Sequence, residues 1–166
     1  MKLAAVAGAL MTLALCGCVS SRDRTAESDD MCREIADFAN ASDDGELHRV
    51  RFNTDWGGTD CPHEDGEDVI ACNWCEHDAQ ESGKRLCGYL SEHTSIEFAR
   101  INLARVLDCL NLGYGHLNLW KEDKHLENRQ IWSAHARGVR RGTSVGVEFL
   151  PDAPPTLIIY AQRRGV

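Results

Sequence analysis

The chain has 166 residues and a formal net charge of −8, with eight cysteines. That charge argues against a nucleic-acid binder, which needs clustered basic residues, and against adhesion to an anionic membrane through a basic face. Eight cysteines are many for this length, so their fate decides much about the fold.

Met1 and Lys2 supply one positive charge, and residues 3–15 are nearly all apolar. This pattern suits a secretory signal peptide. It is short for a membrane span, which takes about 20 apolar residues. The run ends in Leu15-Cys16-Gly17-Cys18. This tetrapeptide resembles the lipobox of bacterial lipoproteins: a large aliphatic residue, a small one, Gly or Ala, then the Cys that is lipidated. The resemblance implies that residues 1–17 are removed, that Cys18 carries the lipid, and that the lipid is the membrane tether. Val19, where Asp would signal retention at the inner membrane, implies an outer-membrane lipoprotein facing the periplasm. Removal of residues 1–17 leaves 149 residues with a formal charge of −9. One domain with its own core is expected at that length.

Ser20 to Asp30 is polar and charged, and residues 18–30 read as a flexible tether; the domain is expected over 31–166. Asp29 or Asp30 can cap a helix running to Ala41, with Met31, Ile35 and Phe38 on one face. Asp43-Asp44-Gly45 is turn chemistry. Then His48, Val50, Phe52, Thr54 and Trp56 alternate with Arg49, Arg51 and Asn53, the mark of a half-buried strand. Residues 52–83 hold nine acids and no Lys or Arg, and are expected to form an irregular loop tied by cysteines. Ser82 opens a short helix with Leu86, Cys87 and Leu90 inward. Thr94-Ser95-Ile96-Glu97 reads as a capping box for the best helix, which carries the stripe Ile96, Ala99, Leu103, Val106, Leu107 and Leu110. Gly113 is its expected left-handed stop. Beyond Gly115 the period changes to two, and strands are expected at 116–120, 130–137, 143–150 and 156–163. Short links make them an antiparallel meander. The fold class is α+β: an antiparallel sheet of about five strands, helices packed on one face, stabilised by disulfides.

With Cys16 leaving in the signal and Cys18 acylated, Cys32, Cys61, Cys72, Cys75, Cys87 and Cys109 remain. An even number beyond an export signal reads as a disulfide framework. The expected pairs are Cys61–Cys72 and Cys75–Cys87 as local closures, and Cys32–Cys109 between the first and the best helix.

Three patterns invite chemistry. Cys72-Asn73-Trp74-Cys75 is a CxxC, but a redox site needs it at a helix start after a core strand, and no βαβ pattern surrounds it. Cys61, His63, Cys72, Cys75, His77 and Cys87 include zinc-ligand types, but structural zinc favours paired CxxC knuckles. Gly142-Thr143-Ser144-Val145-Gly146 matches the serine-hydrolase pattern, which requires a sharp turn into a helix. Here the chain continues as a strand, and a Gly at a bulge is the expected reading. No catalytic residue, metal or cofactor is therefore assigned. Arg137, Arg140, Arg141, Arg163 and Arg164 would oppose the acidic loop. A Trp on the wet face of the sheet, Trp120 or Trp132, would mark a contact patch.

A small lipid-anchored, disulfide-tied acidic domain resembles, in general design, the periplasmic immunity lipoproteins that neutralise antibacterial toxins. The resemblance implies function by binding a protein partner in the envelope. An envelope assembly or scaffold lipoprotein is the alternative, and a hydrolase or redox enzyme a third. The contact is expected in the acidic loop, through Glu64, Asp65, Glu67 and Asp68 with Trp74 as aromatic anchor.

Overall fold

Alternation over residues 47–56 sends every second side chain to one side, and the apolar ones need a cover. A computed structural model describes residues 21–43, 45–57, 61, 70–96, 99–112, 126–152 and 154–164. Its elements are α1 (Ser21–Asn40), β1 (Leu47–Trp56), β2 (Ala71–His77), α2 (Glu81–His93), α3 (Ala99–Cys109), β3 (Gln130–Ser133), β4 (Thr143–Leu150) and β5 (Thr156–Arg163). The strands form one five-stranded sheet in the order β2-β1-β5-β4-β3, and every pairing is antiparallel. The expected α+β class therefore holds.

All three helices pack on one face of this sheet. Val50 and Phe52 of β1, Val145 and Val147 of β4 and Ile159 of β5 point into that layer and are buried. Phe38 of α1, Leu90 of α2 and Leu107 of α3 meet them there. Each such side chain contributes about 1.5–3 kcal/mol on burial, so this single layer is where the fold is held. Among the described residues no helix is long and apolar enough to cross a membrane.

Three disulfides close the structure: Cys32–Cys109, Cys61–Cys72 and Cys75–Cys87. These are the three pairs named from the sequence. The first ties α1 to the end of α3 and the third ties β2 to α2.

Several elements differ from expectation. Helix α1 begins at Ser21, inside the stretch read as a tether. Residues 21–30 contain neither Gly nor Pro, so nothing local stops the helix from extending. Ala71–His77 is a strand rather than loop, paired with β1 from Val50↔His77 to Trp56↔Ala71. The strand expected at 116–120 lies outside the described residues, and β2 is the fifth strand. The third expected strand, 130–137, ends at Ser133. There the Ser133 hydroxyl donates to the Leu110 carbonyl at 2.7 Å and accepts the His135 N–H at 3.1 Å, turning the chain.

The capping box expected at Thr94 turns on Glu97, which lies outside the described residues. The Thr94 hydroxyl donates back to the Leu90 carbonyl at the end of α2. Buried Asn102 joins α3 to the α2–α3 connection: its Oδ1 accepts the Ser95 N–H at 2.9 Å and its Nδ2 donates to the Ser95 carbonyl at 2.8 Å. At the other end of α3 the left-handed residue is Asn111, with φ of 56°; Gly113 lies outside the described residues. Asn40, ending α1, donates through Nδ2 to the Gly138 carbonyl at 3.0 Å and accepts the Arg140 N–H at 2.8 Å. That pair fixes the 137–142 turn against the helix end.

Candidate functional site

The same alternation that fills the core aims a second set of side chains away from the helices. On β1 these are Leu47, Arg49, Arg51, Asn53 and Asp55. Strand pairing extends them into rows across the sheet. One row runs Glu76, Arg51, Ile158, Glu148, Gln130, and another runs Arg49, Tyr160, Gly146, Trp132. Among the described residues no helix packs on this face, and this helix-free side is polar and aromatic where the other is aliphatic.

Its middle is shielded and its rim is open. Tyr160 and Ile158 are 7 % exposed, against 37 % for Trp132 and 52 % for Leu47. Trp132 is held by its neighbours rather than buried. Its ring stands 5.7 Å, centroid to centroid, from that of Tyr160, and its Nε1–H donates to Gln130 Oε1 at 3.4 Å. Gly146, directly opposite in register, leaves room for the indole: a Cβ there would lie 2.8 Å from two ring atoms. So the Gly is in regular strand, not at a bulge, and its role is to admit Trp132.

Beside this pair lies a hydrogen-bonded group. The Tyr160 hydroxyl donates to Glu148 Oε2 at 2.6 Å, and Gln130 Nε2 donates to the same oxygen at 3.1 Å. Burial, then the hydrogen bond and charge of Glu148, push the Tyr160 phenol up to about 12, against the smaller opposing effects of Gln130 and Arg49. The phenol is therefore a fixed donor across the ordinary pH range.

Toward β2 a cavity of about 110 Å³ is lined by Arg49, Arg51, Glu76, His77 and Asp78. On this side Asn53 Oδ1 accepts from the Thr156 hydroxyl at 2.8 Å in the buried part of the face. On the core side of β1, buried His48 sits between carboxylates, with Asp78 Oδ2 at 3.4 Å from Nδ1 and Glu46 Oε2 at 3.5 Å from Nε2. Gln80 Nε2 lies 3.0 Å from the same His48 Nε2. Reading the residues in order did not bring these together; they meet because β2 pairs with β1.

The sequence-derived candidates fall as follows. Glu64, Asp65, Glu67 and Asp68 lie outside the described residues, as do Trp120, His63 and Cys18. Trp74 is half-buried on β2, opposite Asn53, and so shares the helix-free face with Trp132. The two tryptophans stand on opposite edge strands, which are four strand spacings or about 19 Å apart, and in different rows along them. Arg163 pairs with Thr143, and the Arg164 N–H donates to the Gly142 carbonyl at 2.9 Å. The arginines of the last strand thus end beside Arg140 and Arg141.

The three catalytic patterns meet other geometry. Cys72 and Cys75 are three apart on a strand, so they point to opposite faces, and each is bonded to a different cysteine. Ser144 lies within continuous β4, in register with Gln162, with no turn to present it. Among the described residues no group of three or more His, Cys, Asp or Glu side chains is placed to hold a metal ion.

Fold and face together define a disulfide-tied α+β domain with its helices on one side. No family model matches the chain, and neither the curated proteins nor the solved structures contain a match to it.

Proposed function

We propose that the chain is a lipid-anchored envelope protein that works by protein–protein contact, of the kind in which a small domain neutralises a toxin. The contact face is the helix-free side of the sheet. The observation that carries this reading is Trp132: a large aromatic, partly open, seated on Gly146 and held by Tyr160 and Gln130. An aromatic already fixed in place loses little freedom on binding, which suits it as an anchor. Trp74 lies on the same face, and the acidic residues that precede it in sequence would speed encounter with a basic partner. Six cysteines paired in three disulfides are in keeping with an oxidising compartment.

The test is cross-linked recovery of partners from membranes with the natural chain and with Trp132→Ser and Trp74→Ser. A partner recovered by the natural chain and lost with Trp132→Ser, in folded protein, supports the reading. Equal recovery by all three chains places the contact elsewhere.

A further inference from the structure

We propose that Arg49 and Arg51 form a seat for one oxyanion, a carboxylate or a phosphate, at the β1–β2 end of the helix-free face. Two residues apart on β1, they project to the same side. Both line the cavity of about 110 Å³ between β1 and β2. At about 30 Å³ for each liquid water, that space holds a few waters, or one small anionic group.

Among the described residues neither guanidinium has a carboxylate partner, although two carboxylates line the same cavity. Those acids are engaged elsewhere. Asp78 Oδ2 accepts the Arg49 backbone N–H at 2.8 Å and faces His48 Nδ1 at 3.4 Å. Glu76 Oε1 stands 3.5 Å from Asn53 Nδ2. The Arg51 Nε–H is buried and has no acceptor among the described residues. A buried donor without an acceptor is costly, and an incoming oxygen relieves that cost. The planar fork of Arg takes two oxygens of one carboxylate or phosphate at once. Glu76 and Asp78 roughly balance the two positive charges. Selection therefore comes from geometry, and favours a group small enough to enter and able to meet both forks.

As a place on the contact face, the seat would receive an acidic side chain of the partner, and in that respect it rests on the reading above. As an anion site it does not. The full chain, labelled with ¹⁵N, is titrated with sodium acetate and separately with inorganic phosphate, against chloride of equal ionic strength. The Nε–H signals of Arg49 and Arg51 are followed. A saturable shift with at least one oxyanion is expected, weakened about tenfold or more in Arg49→Gln and in Arg51→Gln. Arg51→Lys, which keeps charge without the fork, should weaken it too. Tighter acetate binding points to a carboxylate source, and tighter phosphate binding to a phosphate. Near-UV circular dichroism checks each variant's fold. Arg49, being exposed, serves if Arg51→Gln does not fold. No saturable shift up to ~100 mM, or a shift that persists in the glutamine variants, overturns the proposal. A flat titration removes the seat and leaves the contact reading, while failed partner recovery does the reverse.

Discussion

Trp132 and Gly146 face each other across β3 and β4 so closely that the indole occupies the space of the missing side chain. Gly146→Ala must therefore displace the ring or the strand. We expect a loss of about 1–3 kcal/mol, measured by urea unfolding. In a Trp132→Ala background the same change should cost far less, and the difference is the coupling between the two. Equal costs in both backgrounds would mean that the ring does not depend on the Gly.

The three disulfides should not contribute equally. Cys32 and Cys109 are 77 residues apart, while the other pairs are 11 and 12 apart. On the chain-entropy scale, removing the long closure costs about 4–5 kcal/mol and removing either short one about 3. Paired Cys→Ala variants, compared by thermal unfolding, should rank in that order. A Cys32→Ala/Cys109→Ala variant as stable as the other two would show that the loop argument does not govern this protein.

The Tyr160 phenol gives a pH signature. Its folded value is raised from 10.0 to about 12. A raised value means that the folded state holds the proton more tightly than the unfolded chain. The stability gained is complete below about pH 10 and is lost as pH rises through about 12. Tyr160 should show its phenolate absorbance only near pH 12, and Tyr160→Phe should remove that late step. Glu148→Gln should bring it earlier, because the negative neighbour is gone.

Asn102 offers a test in the α2–α3 connection. Its side chain both accepts from and donates to Ser95. Asn102→Asp keeps the acceptor and sets a carboxylate against the Ser95 carbonyl. Asn102→Leu keeps the size and removes both hydrogen bonds to Ser95. Each should cost about 2–3 kcal/mol. A chemical-denaturation loss below about 0.5 kcal/mol, the range of ordinary surface changes, would show that the link is dispensable.

Much of this fold was legible because the core is one aliphatic layer. The stripe of Met31, Ile35 and Phe38 and the alternation in β1, β4 and β5 each declare a buried side. Strand β2 was not legible for a physical reason. Its core-facing positions are Ala71, Asn73, Cys75 and His77, none a large aliphatic, so period-two hydrophobicity is missing. Backbone pairing with β1 and covalent bonds hold it instead. The Asn102–Ser95 link was not legible either, because a polar side chain seven residues away in sequence carries no local pattern. At the site, Trp132 was visible as a candidate. The meeting of Arg49 and Arg51 with Glu76 and Asp78 was not, since it follows from a strand that hydrophobic pattern does not reveal.

Strand β2 carries Cys72 toward one side of the sheet and Cys75 toward the other, with a covalent bond on each. A slip of one residue along β1 would turn every side chain of β2 over. Cys75 would then face away from Cys87, and Cys72 away from Cys61. Oxidation can seal both bonds only in one alignment, so during folding the two cysteines proofread the register of an edge strand whose own hydrophobicity leaves it ambiguous.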